Sequence, residues 1–242
     1  MNPALPMIQP PPFDAIVALG IGGLAALMAG VALAVVARYQ RPYLRGATIG
    51  VVVWMGLSAT AATTRLLTRF DLTPPPMAGM MVLVVATALG IGLSALGRTL
   101  AAAVPLILLV ALQTFRLPLE LVMHRAARLS IMPVELSFSG YNFDILTGIG
   151  ALVLAVLFAL RVPVPRWAVW LWNVWGIGCL LVIAFIALAT SPMVRAFGDA
   201  PAHLNTWVLF FPYVWLPVVL VTLALLGHLL LTRHLLQPSA PH

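Results

Sequence analysis

Long unbroken apolar runs, separated by short stretches that hold arginine and proline, dominate the chain. Crossing the hydrocarbon of a bilayer takes about 20 apolar residues in a helix. Seven runs approach that length: 13–37, 46–67, 77–97, 99–127, 145–160, 167–190 and 206–232. The fourth is too long for one simple span, and the fifth is short but wholly apolar. Small residues crowd 20–30 and 88–97, where they let helix backbones approach closely. The pattern predicts an all-α, single-domain integral membrane bundle of about seven transmembrane helices over 1–242.

Composition agrees with lipid as the solvent. The 242 residues are 62% hydrophobic and 8% charged, against roughly 25% charged in a soluble domain. The formal charge of +7 does not imply a nucleic-acid partner, because the basic residues lie mostly in short loops, where they fix topology and meet anionic headgroups. Placing the N-terminus outside puts Arg38, Arg41, Arg45, Arg98, Arg161, Arg166 and Arg233 inside. Arg65, Arg69, Arg125, Arg128 and Arg195 then lie outside. The bias predicts N-out, C-in. Met1 to Pro12 is proline-rich without a basic residue, so the first run reads as a retained helix and not a cleaved signal.

All 13 basic residues are arginine. Without lysine there is no retinal Schiff base and no phosphate-binding loop of the GxxxxGK[ST] type. The single cysteine, Cys179, rules out an intramolecular disulfide and reads as a packing residue. No histidine spacing is diagnostic of a metal, and no cofactor is expected.

One segment departs from the apolar pattern. In QTFRLPLELVMHRAA (113–127), Arg116, Glu120 and His124 fall at i, i+4 and i+8, on one helical face beside Gln113. Charges this deep in a membrane cost roughly 2.5–3.5 kcal/mol each on insertion scales, so they face the bundle interior and pair. Two readings stand: an Arg116–Glu120 ion pair that ties helix four to its neighbours, or a polar pocket open to the outside. Pro118 between them is expected to kink the helix. The connection 128–144 reads as a short strand or an extended re-entrant piece, with Asp144 capping the fifth helix. Asn173 reads as interhelical glue. The candidate ligand-binding residues are Arg116, Glu120, His124, Asn142, Asp144 and Asn205, with no catalytic and no metal residue assigned.

FRLPLEL (115–121), FSGYNFDILTG (138–148), Trp172-Asn173, Ser191-Pro192, PAHLN (201–205) and FPYVWLP (211–217) resemble an uncharacterised family of bacterial multi-pass inner-membrane proteins of unknown function, over roughly 105–234. The resemblance implies a bacterial inner-membrane location and carries no reaction. The leading expectation is binding, sensing or transport of a small molecule or ion through an outward-facing pocket on helix four. The alternatives are an accessory or assembly subunit with a membrane-protein partner, and a lipid-modifying enzyme that uses Glu120 and His124.

Overall fold

In the computed structural model, which describes residues 8–237, the chain is a helical membrane bundle without strands among the described residues. The N-terminal stretch 1–7 lies outside them.

Two long helices open the fold. The first, α1 (Ala15–Tyr39), starts where Asp14 accepts the Val17 amide at 2.9 Å, satisfying an orphan donor of the first turn. A 3₁₀ turn, Arg41–Tyr43, leads into α2 (Leu44–Thr63). Pro76 then opens α3 (Pro76–Leu93), a position where its missing amide costs nothing.

At Ser94 the chain turns extended, and the serine hydroxyl caps α4 (Ala95–Ala103). The runs 77–97 and 99–127 are therefore divided differently from the apolar pattern. The third span ends at Leu93, α4 is a separate short helix, and the fourth span is Leu106–Arg128. That span is itself composite: α5 (Leu106–Ala111), a 3₁₀ link (Leu112–Phe115) and α6 (Arg116–Arg128). Pro118 falls in the first turn of α6, where no intrahelical amide is needed. The interruption is thus the 3₁₀ link before Pro118 and not a kink at it.

The later helices are α7 (Ile145–Ala159), α8 (Arg166–Ala189) and α9 (Thr222–Leu236). A π-helical stretch, Leu216–Val221, leads into α9. Residues 206–215 are largely non-helical and buried at Trp207–Phe210, so the final span begins at Leu216 and not at 206. Six helices are long and apolar enough to cross a membrane, and α7 is a shorter apolar one.

Residues 129–144 bury Ile131, Met132, Pro133, Glu135, Leu136, Ser137, Asn142 and Asp144 and leave the rest wholly or partly exposed. Leaving the end of α6, they fold back along it: the Ile131 amide donates to Ala126 O, Ser137 meets His124, Asn142 meets Glu120 and Asp144 meets Arg116. The chain returns the whole length of α6, roughly 18 Å at 1.5 Å per residue, before α7 begins. The re-entrant reading fits this path, whereas the only helical turn in it is 3₁₀ (Val134–Leu136). Irregular backbone at such depth is tolerated where protein surrounds it. Gly148 permits the docking: a Cβ there would lie 2.7 Å from Leu117 N and 3.1 Å from its Cα.

Candidate functional site

The polar interior is assembled from four helices. Arg116 stands at the start of α6, about 15 Å along the span from Leu106. Asp144 stands at the head of α7. Asn173 projects from α8 two turns in, and His228 from α9 about 12 Å before its end. All four, with Glu120 and Asn142, are at most 4% exposed.

Arg116 uses its guanidinium twice. Nε donates to Asp144 Oδ2 at 2.7 Å and Nη2 sits 2.6 Å from Oδ1, an ion pair with one aligned hydrogen bond. Nη1 lies 2.7 Å from His228 Nε2. A guanidinium only donates, so His228 Nε2 must accept, and the ring carries its proton on Nδ1. That proton points to Asn173 Oδ1 at 2.8 Å. Asn173 Nδ2 then donates to Thr232 Oγ1 at 2.8 Å, and Thr232 donates to His228 O. One tautomer and one amide orientation make this run of bonds consistent from Arg116 Nη1 to Thr232. Gly176 leaves room for the imidazole, since a Cβ there would overlap His228. Trp172 covers the other side: its Nε1 donates to Thr147 O at 3.1 Å and its ring lies 5.6 Å from that of His228.

Glu120 does not pair with Arg116. Its carboxylate accepts from Asn142 Nδ2 at 2.9 and 3.0 Å, and the same amide also donates to Leu136 O at 3.0 Å. Among the described residues no cation lies within ion-pair distance of Glu120, and one side-chain amide is its hydrogen-bond partner. Asn142 Oδ1 accepts the Asp144 amide at 3.0 Å, which joins Glu120 to the Arg116–Asp144 pair.

Asp144 occupies the N-cap position of α7, yet its carboxylate makes no capping bond. Arg116 takes it instead, because an unpaired buried guanidinium costs more than an uncapped helix.

The remaining candidates lie further out. His124 Nδ1 is 3.3 Å from Ser137 Oγ and 3.4 Å from Ser139 Oγ, and Phe138 stacks on its ring at 4.4 Å. A cavity of about 300 Å³ adjoins it, lined by Leu121, His124, Arg125, Arg128 and Leu129. Asn205 is separate from the network: its amide donates to Thr190 O at 2.8 Å, and its buried Oδ1 has no partner. His203, on the same loop, pairs with Glu135 of the re-entrant segment at 2.5 Å. Four of the six candidates, Arg116, Glu120, Asn142 and Asp144, therefore converge on one buried cluster.

Sequence reasoning places neither His228 nor Asn173 in the cluster. The signal for His228 is an ionisable ring inside the last apolar run. Asn173 does bridge helices as expected, but to the site itself.

No protein-family profile matches the chain, and neither curated proteins nor solved structures give a significant match.

Proposed function

We propose that the protein is a membrane transporter whose coupling-ion site is Glu120, with Asn142 as its ligand-holding partner and the Arg116–Asp144–His228–Asn173 cluster as its fixed scaffold. The observation that carries this reading is Glu120 itself: a buried carboxylate, held by one amide and no cation, in the middle of the bundle. A proton or a small cation is the species that would neutralise it. Intramembrane ionisable groups are expensive and mark ion pathways. Interrupted helices that meet at mid-depth are where transporters place such sites, and here the re-entrant 129–144 and the head of α7 meet the start of α6.

A run of polar contacts supports an entry route. From the His124 cavity it passes Ser137, whose carbonyl accepts the Asn142 amide at 3.3 Å, to Asn142 and Glu120. The arginine bias and the resemblance noted above support a bacterial inner membrane with the N-terminus outside, which makes this entry outward-facing.

The test uses proteoliposomes with an entrapped pH dye, and in parallel ²²Na⁺ uptake, under an imposed gradient. Wild-type protein should conduct one of the two ions, and E120Q should fall to the protein-free rate. Wild-type flux equal to that of empty liposomes for both ions overturns the reading.

A second reading is favoured by one fact: Arg116 does not line the cavity beside His124. A sealed cluster suits an accessory subunit whose charges only fix helix register. A stoichiometric membrane-protein partner on purification in mild detergent, together with absent flux, would support it.

A further inference from the structure

A second cavity is lined by none of the residues around Glu120. It holds about 720 Å³ and lies between the α2–α3 connection and the α8–α9 connection. Its walls are of two kinds. Ile8, Leu66, Phe70 and Leu204 are apolar. Arg65, Arg69 and Arg195 bring three guanidinium groups from two separate connections, and Asp71 is the one acidic residue among the lining side chains.

The three arginines are not equivalent. Arg69 is held by Asp71 through two bonds of 2.8 and 2.7 Å. Arg195 donates to Pro192 O at 2.8 Å and to Asp199 at 2.9 Å. Like Arg195 at φ 52°, Arg65 has a left-handed backbone at φ 58°, a conformation uncommon outside glycine, asparagine and aspartate, and its guanidinium has no partner among the described residues. It stands between Thr64 and Leu66, and Thr68 and Thr206 add hydroxyls to the wall. A second observation concerns the α8–α9 connection beside this cavity. Ser191 Oγ, Asn205 Oδ1 and Trp207 Nε1 are buried polar atoms without partners, each adjacent in the chain to a lining residue: Pro192, Leu204 with Thr206, and Thr206. Buried polar groups in native proteins are nearly always satisfied, so this end of the bundle has spare capacity for hydrogen bonds.

We propose that this cavity binds a phosphate-bearing ligand, with Arg65 and Arg195 as its charge partners and the apolar wall accommodating attached carbon chain. Guanidinium groups match phosphate oxygens in a planar, two-pronged geometry that single-point cations do not offer. The mixed wall fits an anionic phospholipid, whose headgroup would sit among the arginines at the membrane boundary. A soluble phosphate ester presents the same chemistry without the chain. The site is independent of the Glu120 reading.

The experiment uses full-length protein in mild detergent. Native mass spectrometry counts retained phosphatidylglycerol against added phosphatidylcholine, and titration calorimetry measures inorganic phosphate and glycerol phosphate. Saturable phosphatidylglycerol binding that is weakened about tenfold or more in R65Q/R195Q supports the proposal and names lipid as the source. Saturable binding of the soluble phosphates with the same sensitivity supports it and names a soluble ester. Arg45, an exposed arginine on the opposite side of the bundle, provides the control for general headgroup attraction: R45Q should bind as wild type. D71N, which releases Arg69, should bind more tightly than wild type, and it reports on the site even if the double variant fails to fold. Binding that is unchanged in D71N and R65Q/R195Q, or weakened equally by R45Q, overturns the proposal.

Discussion

Two ion pairs fasten α6 to other parts of the chain, and they use the same chemistry at different depths. Near its end, Arg125 grips Asp14 with two bonds of 3.0 and 2.7 Å; at its start, Arg116 holds Asp144 through one bond of 2.7 Å and a second ion-pair contact of 2.6 Å. Both aspartates stand at a helix N-cap. The outer one keeps its capping bond to Val17, while the inner one has given its capping role up. The side chains of Arg125 and Asp14 are 44% and 19% exposed, against 1% and 6% for Arg116 and Asp144. In water a carboxylate can divide itself between a guanidinium and a helix terminus, because solvent completes whatever is missing. In the interior the charge must be matched first, and the terminus yields.

The comparison breaks most visibly at the inner pair. D144A leaves Arg116 buried with only the neutral His228 as a partner, and removing one member of a buried pair costs about 3–5 kcal/mol. The expected outcome is loss of folded protein in detergent, read by size-exclusion chromatography and thermal aggregation. The sharper form is R116M/D144L. Replacing both members by apolar groups is often neutral or stabilising, so the double variant should recover much of the folded fraction. Failure to recover it would mean that His228 and Asn173 depend on the guanidinium for their own order.

A middle-sized effect is expected at the contact that sets the inner pair. G148A drives a methyl against Leu117 backbone and should cost about 1–3 kcal/mol, as overpacking does. Thermal unfolding measures it. A wild-type midpoint would show that α7 can shift without cost.

The smallest effect belongs to the outer pair. The Arg125 guanidinium, with the Val17 amide, holds the Asp14 carboxyl at about 2, below its ordinary 3.8. A carboxyl lowered by folding stabilises the folded state fully above its ordinary value and loses that contribution as pH falls through the lowered one. Stability should therefore slope downward between pH 3.8 and about 2, and D14N should remove that part of the slope. Because the pair is exposed and screened, the change should be slight beside D144A. An identical slope in D14N would assign it to other carboxylates.

The spans were legible in the sequence because hydrocarbon thickness imposes a length on any apolar helix. Arg116 and Glu120 were legible because charge is rare at that depth. Their partners were not. Helical spacing joins Arg116 to Glu120 four residues on, but the real partners lie 28 and 112 residues away, at Asp144 and His228. They are set by a chain that doubles back along α6, and no periodicity announces such a path. Pro118 misled for a related reason: a proline marks a break but does not say on which side the helix resumes. Asp144 reads as a cap because capping is a local rule, and the local rule lost to a buried charge.

The doubling back of 129–144 also has a consequence for how the protein is made. α7 has 15 residues, about 22 Å of helix, against a hydrocarbon layer of about 30 Å. Its upper continuation is irregular backbone that lipid alone cannot satisfy. When this stretch leaves the insertion machinery, it has no stable resting place in the bilayer until α5 and α6 are there to receive it. The segment from Leu106 to Ala159 is therefore expected to enter the membrane as one unit, a hairpin whose second arm is templated by its first.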